Sequence, residues 1–290
     1  MIYTVTLNPS LDRTLHFERV VAGAVNRATA TRLDLSGKGV NVSLALRELG
    51  VPSVMTGFAA GAFGRILVES LVAQGCQCAF VPVAGETRSN ITVIESATGV
   101  GTKLNEPGPS VTADDLARFE DHLLALLGEG DLCVFCGSLP PGAPDDAYSR
   151  LIHAAQSVGA LTALDASGPA LTAGCSAAPD LIKPNLAEAE GLIGRPLAEE
   201  ACWAKGLAAM RALGPQRVLL TLGARGALWG DGRGHWLAEP PPIRELSNIG
   251  AGDAALAGAV YAWQQGMSGD EIARWAVAAG AAKAMGDGTQ

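Results

Sequence analysis

The sequence predicts an α/β fold in which a mainly parallel sheet is covered by helices on both faces. Apolar strands alternate with segments whose apolar residues recur at helical spacing. Several strands, such as Leu132 to Cys136, are continuously apolar, which is typical of strands buried on both faces. The 290 residues include 36 glycines and are 48% hydrophobic, so the composition indicates an ordinary globular protein with many tight turns.

The first half of the chain is predicted to contribute strands to both the main sheet and a smaller one. A first strand runs from Ile2 to Leu7 and ends at Asn8-Pro9. Five β-like segments could form a small sheet beside the main body: Arg13 to Val21, Asn26 to Leu35, Gln77 to Val83, Arg88 to Glu95 and Gly101 to Asn105. The other elements of this half are helix Gly39 to Leu49, strand Ser53 to Phe58 and helix Phe63 to Gln74. We expect a single domain, residues 1–290, with the small sheet as a lid from about 13–35 and 88–105.

In the second half of the chain, predicted strands and helices alternate more regularly. Its predicted strands are Leu132 to Cys136, Leu161 to Asp165, Leu181 to Lys183 and Arg217 to Thr221, followed by a hairpin near Gly226 to Leu237. Its predicted helices are Ala113 to Leu127, Asp145 to Val158, Leu186 to Leu192, Ala198 to Leu213, Ala251 to Gln264 and Asp270 to Met285. Ligands of such sheets bind at the carboxyl ends of the strands, so residues just past strand ends are the candidates for function.

Charge and hydropathy exclude several classes of protein. A net charge of −8 argues against a broad nucleic-acid surface. The N-terminal residues resemble no signal peptide, and no apolar stretch is long enough to span a bilayer, so we expect a cytoplasmic protein without a membrane partner. Cys133 and Cys136 lie within an apolar strand, which favours buried thiols over a metal or redox site.

The strongest local motif is Ile249-Gly250-Ala251-Gly252-Asp253, directly before an apolar helix. Two glycines at a helix N-terminus let backbone N–H groups approach an anion, and the helix dipole adds positive potential there. A carboxylate beside such a site suits a general base that accepts a hydroxyl proton during phosphoryl transfer. A capping aspartate after a glycine turn is the alternative.

Two further candidates lie in the first half of the chain. The turn Gly37-Lys38-Gly39-Val40-Asn41 opens a helix but lacks the Walker A spacing. Lys38 could neutralise a phosphate while Asn41 binds sugar hydroxyls, or Lys38 could simply be solvated. Asp12, shortly after the first strand, could accept hydrogen bonds from two sugar hydroxyls or could be a turn residue.

Two weaker candidates lie in the second half. Asn185 and Glu188 are three residues apart after Lys183, so they could orient water around Mg²⁺, or form an N-cap pair at a helix start. The segment Thr221 to Gly226 could lie along a nucleotide, although such glycine turns are common.

Taken together and in this order, these segments resemble the ribokinase-like (PfkB) carbohydrate kinase family. The motifs are Thr6-Leu7-Asn8-Pro9-Ser10-Leu11-Asp12, Gly37-Lys38-Gly39-Val40-Asn41, Thr87-Arg88-Ser89-Asn90, Lys103-Leu104-Asn105-Glu106-Pro107-Gly108-Pro109, Gly137-Ser138-Leu139-Pro140, Lys183-Pro184-Asn185 and Gly250-Ala251-Gly252-Asp253. They are most similar to the branch that contains 1-phosphofructokinase and tagatose-6-phosphate kinase.

The resemblance implies a Rossmann-like three-layer α/β/α core, a small β-sheet lid, and a homodimer formed through that lid. It implies an ATP-dependent, Mg²⁺-requiring kinase of a sugar phosphate, with fructose 1-phosphate expected before tagatose 6-phosphate. Asp253 would be the catalytic base, and the amides of Gly250, Ala251 and Gly252 would form the anion hole. The implied substrate residues are Asp12, Gly37, Lys38, Gly39, Asn41, Arg88, Lys103, Arg27 and Ser138, of which Lys38, Arg88, Lys103 and Arg27 would meet the sugar phosphate. The implied MgATP residues are Lys183, Asn185, Glu188, Thr221, Gly223 and Gly226.

Two functions of other classes compete with this interpretation. A non-catalytic sugar-phosphate sensor could keep the same fold, but retention of Asp253 beside Gly250 and Gly252 speaks against it. An NAD-linked Rossmann enzyme would need G-x-G-x-x-G after the first strand, where Asn8-Pro9-Ser10 stands instead.

Overall fold

The structure is a computed structural model that describes residues 1–244, 247 and 249–286. The strands are β1 (Ile2–Thr6), β2 (Ser10–Phe17), β3 (Ala30–Ser36), β4 (Ser53–Ala60), β5 (Gln77–Val83), β6 (Arg88–Glu95), β7 (Val100–Leu104), β8 (Leu132–Cys136), β9 (Leu161–Asp165), β10 (Leu181–Ile182), β11 (Arg217–Thr221), β12 (Ala227–Gly230) and β13 (His235–Ala238). The helices are α1 (Lys38–Glu48), α2 (Gly61–Ala73), α3 (Ala113–Leu126), α4 (Ala147–Ser157), α5 (Gly168–Cys175), α6 (Leu186–Ile193), α7 (Trp203–Arg211), α8 (Ala251–Gln264) and α9 (Gly269–Ala284). Among the described residues, no helix is both long and apolar enough to cross a bilayer.

The large sheet has the strand order β13-β12-β11-β10-β9-β8-β1-β4-β5. All its neighbours pair in parallel except β11 with β12 and β12 with β13, which are antiparallel. The carboxyl ends of the seven parallel strands therefore share one edge, where the topology places ligand sites.

Helices cover both faces of this sheet. One apolar cluster packs helices α1, α8 and α9 against one face of the sheet. A second cluster packs the five helices from α3 through α7 against the other face. Along β8, Leu132 and Val134 belong to the first cluster, whereas Cys133 and Phe135 belong to the second. This period-two division explains the continuously apolar strand and confirms the predicted three-layer α/β/α class. The thiols of Cys133 and Cys136 are buried and unpaired.

The small sheet has the strand order β3-β2-β6-β7. β2 and β6 are parallel, and each has an antiparallel outer neighbour. A third apolar cluster, which includes Leu11 and Leu35 of this sheet and Leu67 of α2, ties its base to the main body. The side chains of the small sheet alternate between a face that carries Asp12 and Asn90 and an opposite face that carries Leu33 and Leu104.

Three sequence-based assignments need correction. The segment grouped with the small sheet at Gln77 to Val83 is instead β5, which pairs in parallel with β4 at the edge of the large sheet. β2 begins at Ser10, three residues earlier than predicted, so Asp12 lies within a strand and not in a turn. Helix α5 was missed because its eight residues begin Gly-Pro and provide too short an apolar pattern.

Close contact between α8 and α9 fixes the helix that carries Asp253. A Cβ atom added at Gly258 would overlap the carbonyl oxygen of Trp275 and crowd Ala279. The small residues of α8 therefore serve tight helix packing.

We predict that Gly258→Ala destabilises the protein by about 1–3 kcal/mol through overpacking. Gly191→Ala is the matched control, because Gly191 is also helical and its added Cβ would meet no atom within 4 Å. That control should be neutral or stabilising, since alanine has the better helix propensity by up to ~1 kcal/mol. Urea denaturation followed by circular dichroism measures both, and equal midpoints would contradict the packing argument.

Candidate active site

Asp253 lies in the first turn of α8 at the carboxyl edge of the large sheet. The helix begins after Gly250, whose φ of 76° places it in the left-handed region that favours glycine. The N–H groups of the first turn have no partner within the helix and are available to an anion. Asp253 is only 7% exposed, and its Oδ2 accepts a hydrogen bond of 2.8 Å from Asn41 Nδ2.

Burial and charge together shift the proton affinity of Asp253. Burial, followed by the negative charge of Asp165, raises the pKa of Asp253 to about 6. The hydrogen bond from Asn41 and the charges of Lys183 and Lys38 act in the opposite direction. A carboxyl group with such a pKa is ionised at neutral pH and is a stronger base than an ordinary aspartate.

Asp165 holds two lysines at this edge, and sequence reasoning missed it. It is the last residue of β9 and has no exposed surface. Its Oδ1 accepts a hydrogen bond of 2.9 Å from Lys38 Nζ, and its Oδ2 lies 3.1 Å from Lys183 Nζ. Burial opposes ionisation, but Lys183 and Lys38 outweigh it and hold the pKa of Asp165 below its ordinary value. A carboxylate at the end of an apolar parallel strand was the signal that could have identified it.

Lys38 lies in a largely buried cluster of charged and polar side chains, the lysine–carboxylate cluster, which we define as Asn41, Asp253, Asp165, Lys38 and Lys183. Burial alone would lower the pKa of Lys38, but Asp165, followed by Asp253 and Glu188, raises it above its ordinary value. The ammonium group therefore stays charged beside the proposed base. Arg88, which the resemblance also assigns to the sugar phosphate, lies on β6 of the small sheet.

The glycines around Lys38 allow close packing on β1. Gly37 has a φ of 138°, and a Cβ added there would lie 2.8 Å from Thr6 Cγ2. A Cβ added at Gly39 would lie 3.0 Å from the carbonyl oxygen of Val5. Both glycines thus bring the start of α1 against β1, in addition to any contact with a ligand.

A second group of polar residues, the small-sheet cluster, comprises Ser10, Asp12, Arg88 and Asn90. Asp12 Oδ1 accepts hydrogen bonds from Ser10 Oγ (2.8 Å) and Asn90 Nδ2 (2.9 Å). Arg88 Nη2 donates to the carbonyl oxygen of Asn8 at 3.0 Å. Burial lowers the pKa of Arg88, and the charge of Asp12 opposes this shift. Asn90 belongs to the motif Thr87-Arg88-Ser89-Asn90 but is not among the implied substrate residues.

Of the other predicted substrate residues, Lys103 and Ser138 lie near the two clusters and Arg27 does not. Lys103 is exposed and lies opposite Thr92, on the same face of the small sheet as Asp12 and Asn90. Ser138 is exposed directly after Gly137, whose N–H donates to the carbonyl oxygen of Asp165. Arg27 is exposed beyond the far end of the β2–β3 pair, so this chain does not bring it to either cluster.

The predicted nucleotide residues lie at the ends of β10 and β11. Asn185 and Glu188 form a reciprocal capping box: Asn185 Oδ1 accepts from the Glu188 N–H (2.9 Å), and Glu188 Oε2 accepts from the Asn185 N–H (2.8 Å). The N–H of Thr221 donates to the carbonyl oxygen of Pro184, which joins the two strand ends. Gly223 has a φ of 61°, and Gly226 has a φ of 96° where a Cβ would overlap the carbonyl oxygen of Ala238. The capping function was the alternative interpretation of Asn185 and Glu188, and the charge of Glu188 still acts on Lys38.

The site fits a polyphosphate that arrives with its own Mg²⁺. A Cβ added at Gly252 would lie 3.5 Å from Lys183 Nζ, so the glycine leaves a gap between this ammonium group and the helix N-terminus. Asn41 Oδ1 is buried without a hydrogen-bond partner. In the described part of the chain, no group of three or more His, Cys, Asp or Glu residues could hold a metal ion. The charge of Glu188 acts on Lys38, so this carboxylate lies near the same cluster.

Comparison with known proteins identifies the family. The family model described as pfkB family carbohydrate kinase matches residues 5–290. The chain is 37% identical over 278 residues to 1-phosphofructokinase of Rhodobacter capsulatus, covering 96% of this chain and 88% of that protein. Phosphofructokinase-2 from Escherichia coli in complex with fructose-6-phosphate superposes with a TM-score of 0.92 at 32% identity, covering 98% of this chain and 93% of that one. Arabidopsis thaliana ribokinase complexed with ribose and ATP, at 21% identity over 99% of this chain and 93% of that one, shares the fold with a TM-score of 0.78. The chain therefore belongs to the pfkB family of carbohydrate kinases.

Proposed function

We propose that this protein transfers the γ-phosphoryl group of MgATP to the 6-hydroxyl of fructose 1-phosphate. The observation that carries the proposal is the buried carboxylate of Asp253, which lies at the glycine-lined N-terminus of α8 beside two lysines. The name of the Rhodobacter capsulatus relative supports the choice of fructose 1-phosphate.

In the proposed mechanism, Asp253 accepts the proton of the attacking hydroxyl. Asn41 holds the carboxylate through the 2.8 Å hydrogen bond, so that one oxygen is positioned and the other is left for the substrate. The first-turn amides at Ala251 and Gly252 would bind the transferring phosphoryl group. MgATP supplies the phosphoryl group and neutralises part of its charge.

Asp165 positions the cations of the reaction. Its carboxylate binds the ammonium groups of both Lys38 and Lys183, so neither side chain is free to leave the edge of the sheet. Phosphoryl transfer depends mainly on positioning and on stabilisation of negative charge, which two fixed lysines supply. We propose that Lys38 and Lys183 face the transferring phosphate and that Asn185, Glu188, Thr221, Gly223 and Gly226 border MgATP.

The sugar phosphate would lie between the two clusters. Asp12 and Asn90 are suited to sugar hydroxyls, since Asn90 Oδ1 is a buried acceptor without a partner. Arg88 Nε is likewise buried without a hydrogen-bond partner. Because the guanidinium group is charged at neutral pH, this donor is suited to an anion. We therefore propose that Arg88 binds the substrate phosphate, with Lys103 on the same sheet face as Asp12.

We further propose a homodimer formed through the apolar face of the small sheet. Leu33 and Leu104 project from the face opposite Asp12 and are each more than half exposed. Adjacent exposed apolar side chains include Phe63 and Ile66 at the sheet base. Leu33 and Leu104 lie in one cross-strand row with Arg13 and Ile91. Exposed apolar side chains that cluster on one face are typical of an interaction site.

For the substrate, we predict the highest kcat/KM with fructose 1-phosphate when ADP release is measured with four acceptors. The others are fructose 6-phosphate, which the Escherichia coli structure contains, tagatose 6-phosphate and unphosphorylated fructose. A preference for either 6-phosphate would replace the proposed substrate, and turnover of fructose alone would contradict the role of Arg88.

The same assay needs a control that ties turnover to this site. Asp253→Asn should lower kcat by about 10²–10⁴-fold, the usual contribution of a general base. Asp270→Asn is matched, because Asp270 also lies in the first turn of a helix but forms only an exposed pair with Arg274.

For the dimer, we predict that Leu33→Asp shifts the protein to a monomer in sedimentation velocity, because it places a charge in the buried interface. Val72→Asp is the control, since Val72 is similarly exposed but lies nine residues after Phe63 on α2, on the opposite side of that helix. A wild-type monomer, or a Leu33→Asp dimer of unchanged stability, would refute this interface.

A further inference from the structure

A cavity of about 620 Å³ lies away from both clusters described above. It opens at the first residue of β11, whereas Thr221 ends the same strand at the candidate active site. The two residues are four positions apart along the strand, or roughly 13 Å. The cavity also includes Trp263 in the last turn of α8, whose first turn carries Asp253 ten residues earlier, about 15 Å away along the helix. A ligand in this cavity would therefore not overlap the proposed substrates.

Three arginines from three separate segments line this cavity, which we call the arginine groove. Arg211 ends α7, Arg217 begins β11, and Arg233 lies in the turn between β12 and β13. The protein carries a net charge of −8, so three guanidinium groups at one cavity are a local exception. Neighbouring like charges repel each other, and a bound anion would relieve that repulsion.

The partners of these arginines neutralise only part of their charge. Arg217 Nη1 lies 3.6 Å from Asp180 Oδ1, and its guanidinium stacks 4.9 Å above the Trp263 ring centroid. Arg211 donates through Nε to the carbonyl oxygen of Gln216 at 2.8 Å. Among the described residues, neither Arg211 nor Arg233 forms an ion pair with a carboxylate.

One acidic residue lines the groove, but its oxygens are already engaged. Asp231 Oδ1 accepts hydrogen bonds from the N–H groups of Arg233 and Gly234, and Oδ2 accepts one from Trp229 Nε1. Asp231 thus shapes the turn that presents Arg233. The position of Arg211 in the last turn of α7 matches the helix dipole, which explains this one arginine but not the convergence of three.

We propose that the arginine groove binds a small phosphorylated molecule that carries at least two negative charges. Guanidinium groups are suited to phosphate because they donate paired hydrogen bonds and remain charged. The volume is within the 300–1,000 Å³ range that is usual for small-molecule sites. Gly232 leaves room in the groove, because an added Cβ there would lie 3.6 Å from Arg211 Nη2.

Inorganic pyrophosphate is the probe, and the intrinsic tryptophan fluorescence of the full chain is the readout, because Trp263 and Trp229 line the groove. We compare the wild type with the double variant Arg211→Gln/Arg233→Gln. We expect pyrophosphate to change the fluorescence of the wild type and the double variant to bind it at least about tenfold more weakly, since two charge-assisted interactions are lost. The matched control is Arg150→Gln/Arg274→Gln, which removes two exposed arginines that pair with helix neighbours outside the groove.

Three results would overturn the proposal: no wild-type response, equal affinity in the wild type and the groove variant, or an equal loss in the matched control. Equal affinity would mean that pyrophosphate binds only elsewhere, for example at α8. Citrate is titrated in parallel, and tighter binding of this polycarboxylate than of pyrophosphate would overturn the assignment of a phosphorylated ligand. Thermal melts of both double variants show that the comparison is made between folded proteins.

Discussion

The buried carboxylate of Asp165 is the constraint on which the organisation of the site depends. Asp165 has no exposed surface, so its negative charge must be compensated by nearby positive charges. Removing one partner of a buried ion pair typically destabilises a protein by about 3–5 kcal/mol. The two compensating groups come from opposite sides of the sheet edge: Lys38 follows a glycine turn at the start of α1, and Lys183 follows β10. Their attraction to one carboxylate brings distant parts of the chain together and fixes two positive charges at this edge of the sheet.

The same carboxylate makes its neighbour a better base. Asp165 and Asp253 differ in environment: two lysines keep Asp165 ionised, whereas burial and the charge of Asp165 raise the pKa of Asp253 to about 6. Pairs of acidic groups whose surroundings move their pKa values apart commonly divide their functions. Here one holds cations and the other is suited to move a proton, and Asn41 limits the rise in the pKa of the second.

Local patterns predicted much of this protein, and contacts between distant segments decided the rest. Strand and helix periodicity predicted the layered core, and two glycines before an apolar helix pointed to Asp253. The partnership of Asp165 with Lys38 spans 127 residues, and that of Asn41 with Asp253 spans 212, so neither has a local signature. A turn was one of two interpretations of Asp12, yet the pairing of β2 with β6 places Asp12 opposite Asn90 in a strand that begins at Ser10. Asn185 and Glu188 have a spacing that serves both a helix cap and a metal site, and only the hydrogen bonds reveal the cap.

The pH dependence of kcat/KM tests most directly whether Asp253 is a base tuned by these neighbours. The wild type should lose activity as the pH falls through about 6, because the protonated base cannot accept the hydroxyl proton. Asn41→Ala removes a hydrogen bond to the ionised form and should move this acid limb to higher pH, whereas Asp165→Asn removes a negative charge and should move it to lower pH. Opposite displacements are the predicted result, and a limb that stays in place in both variants would contradict the central role of this pair of carboxylates.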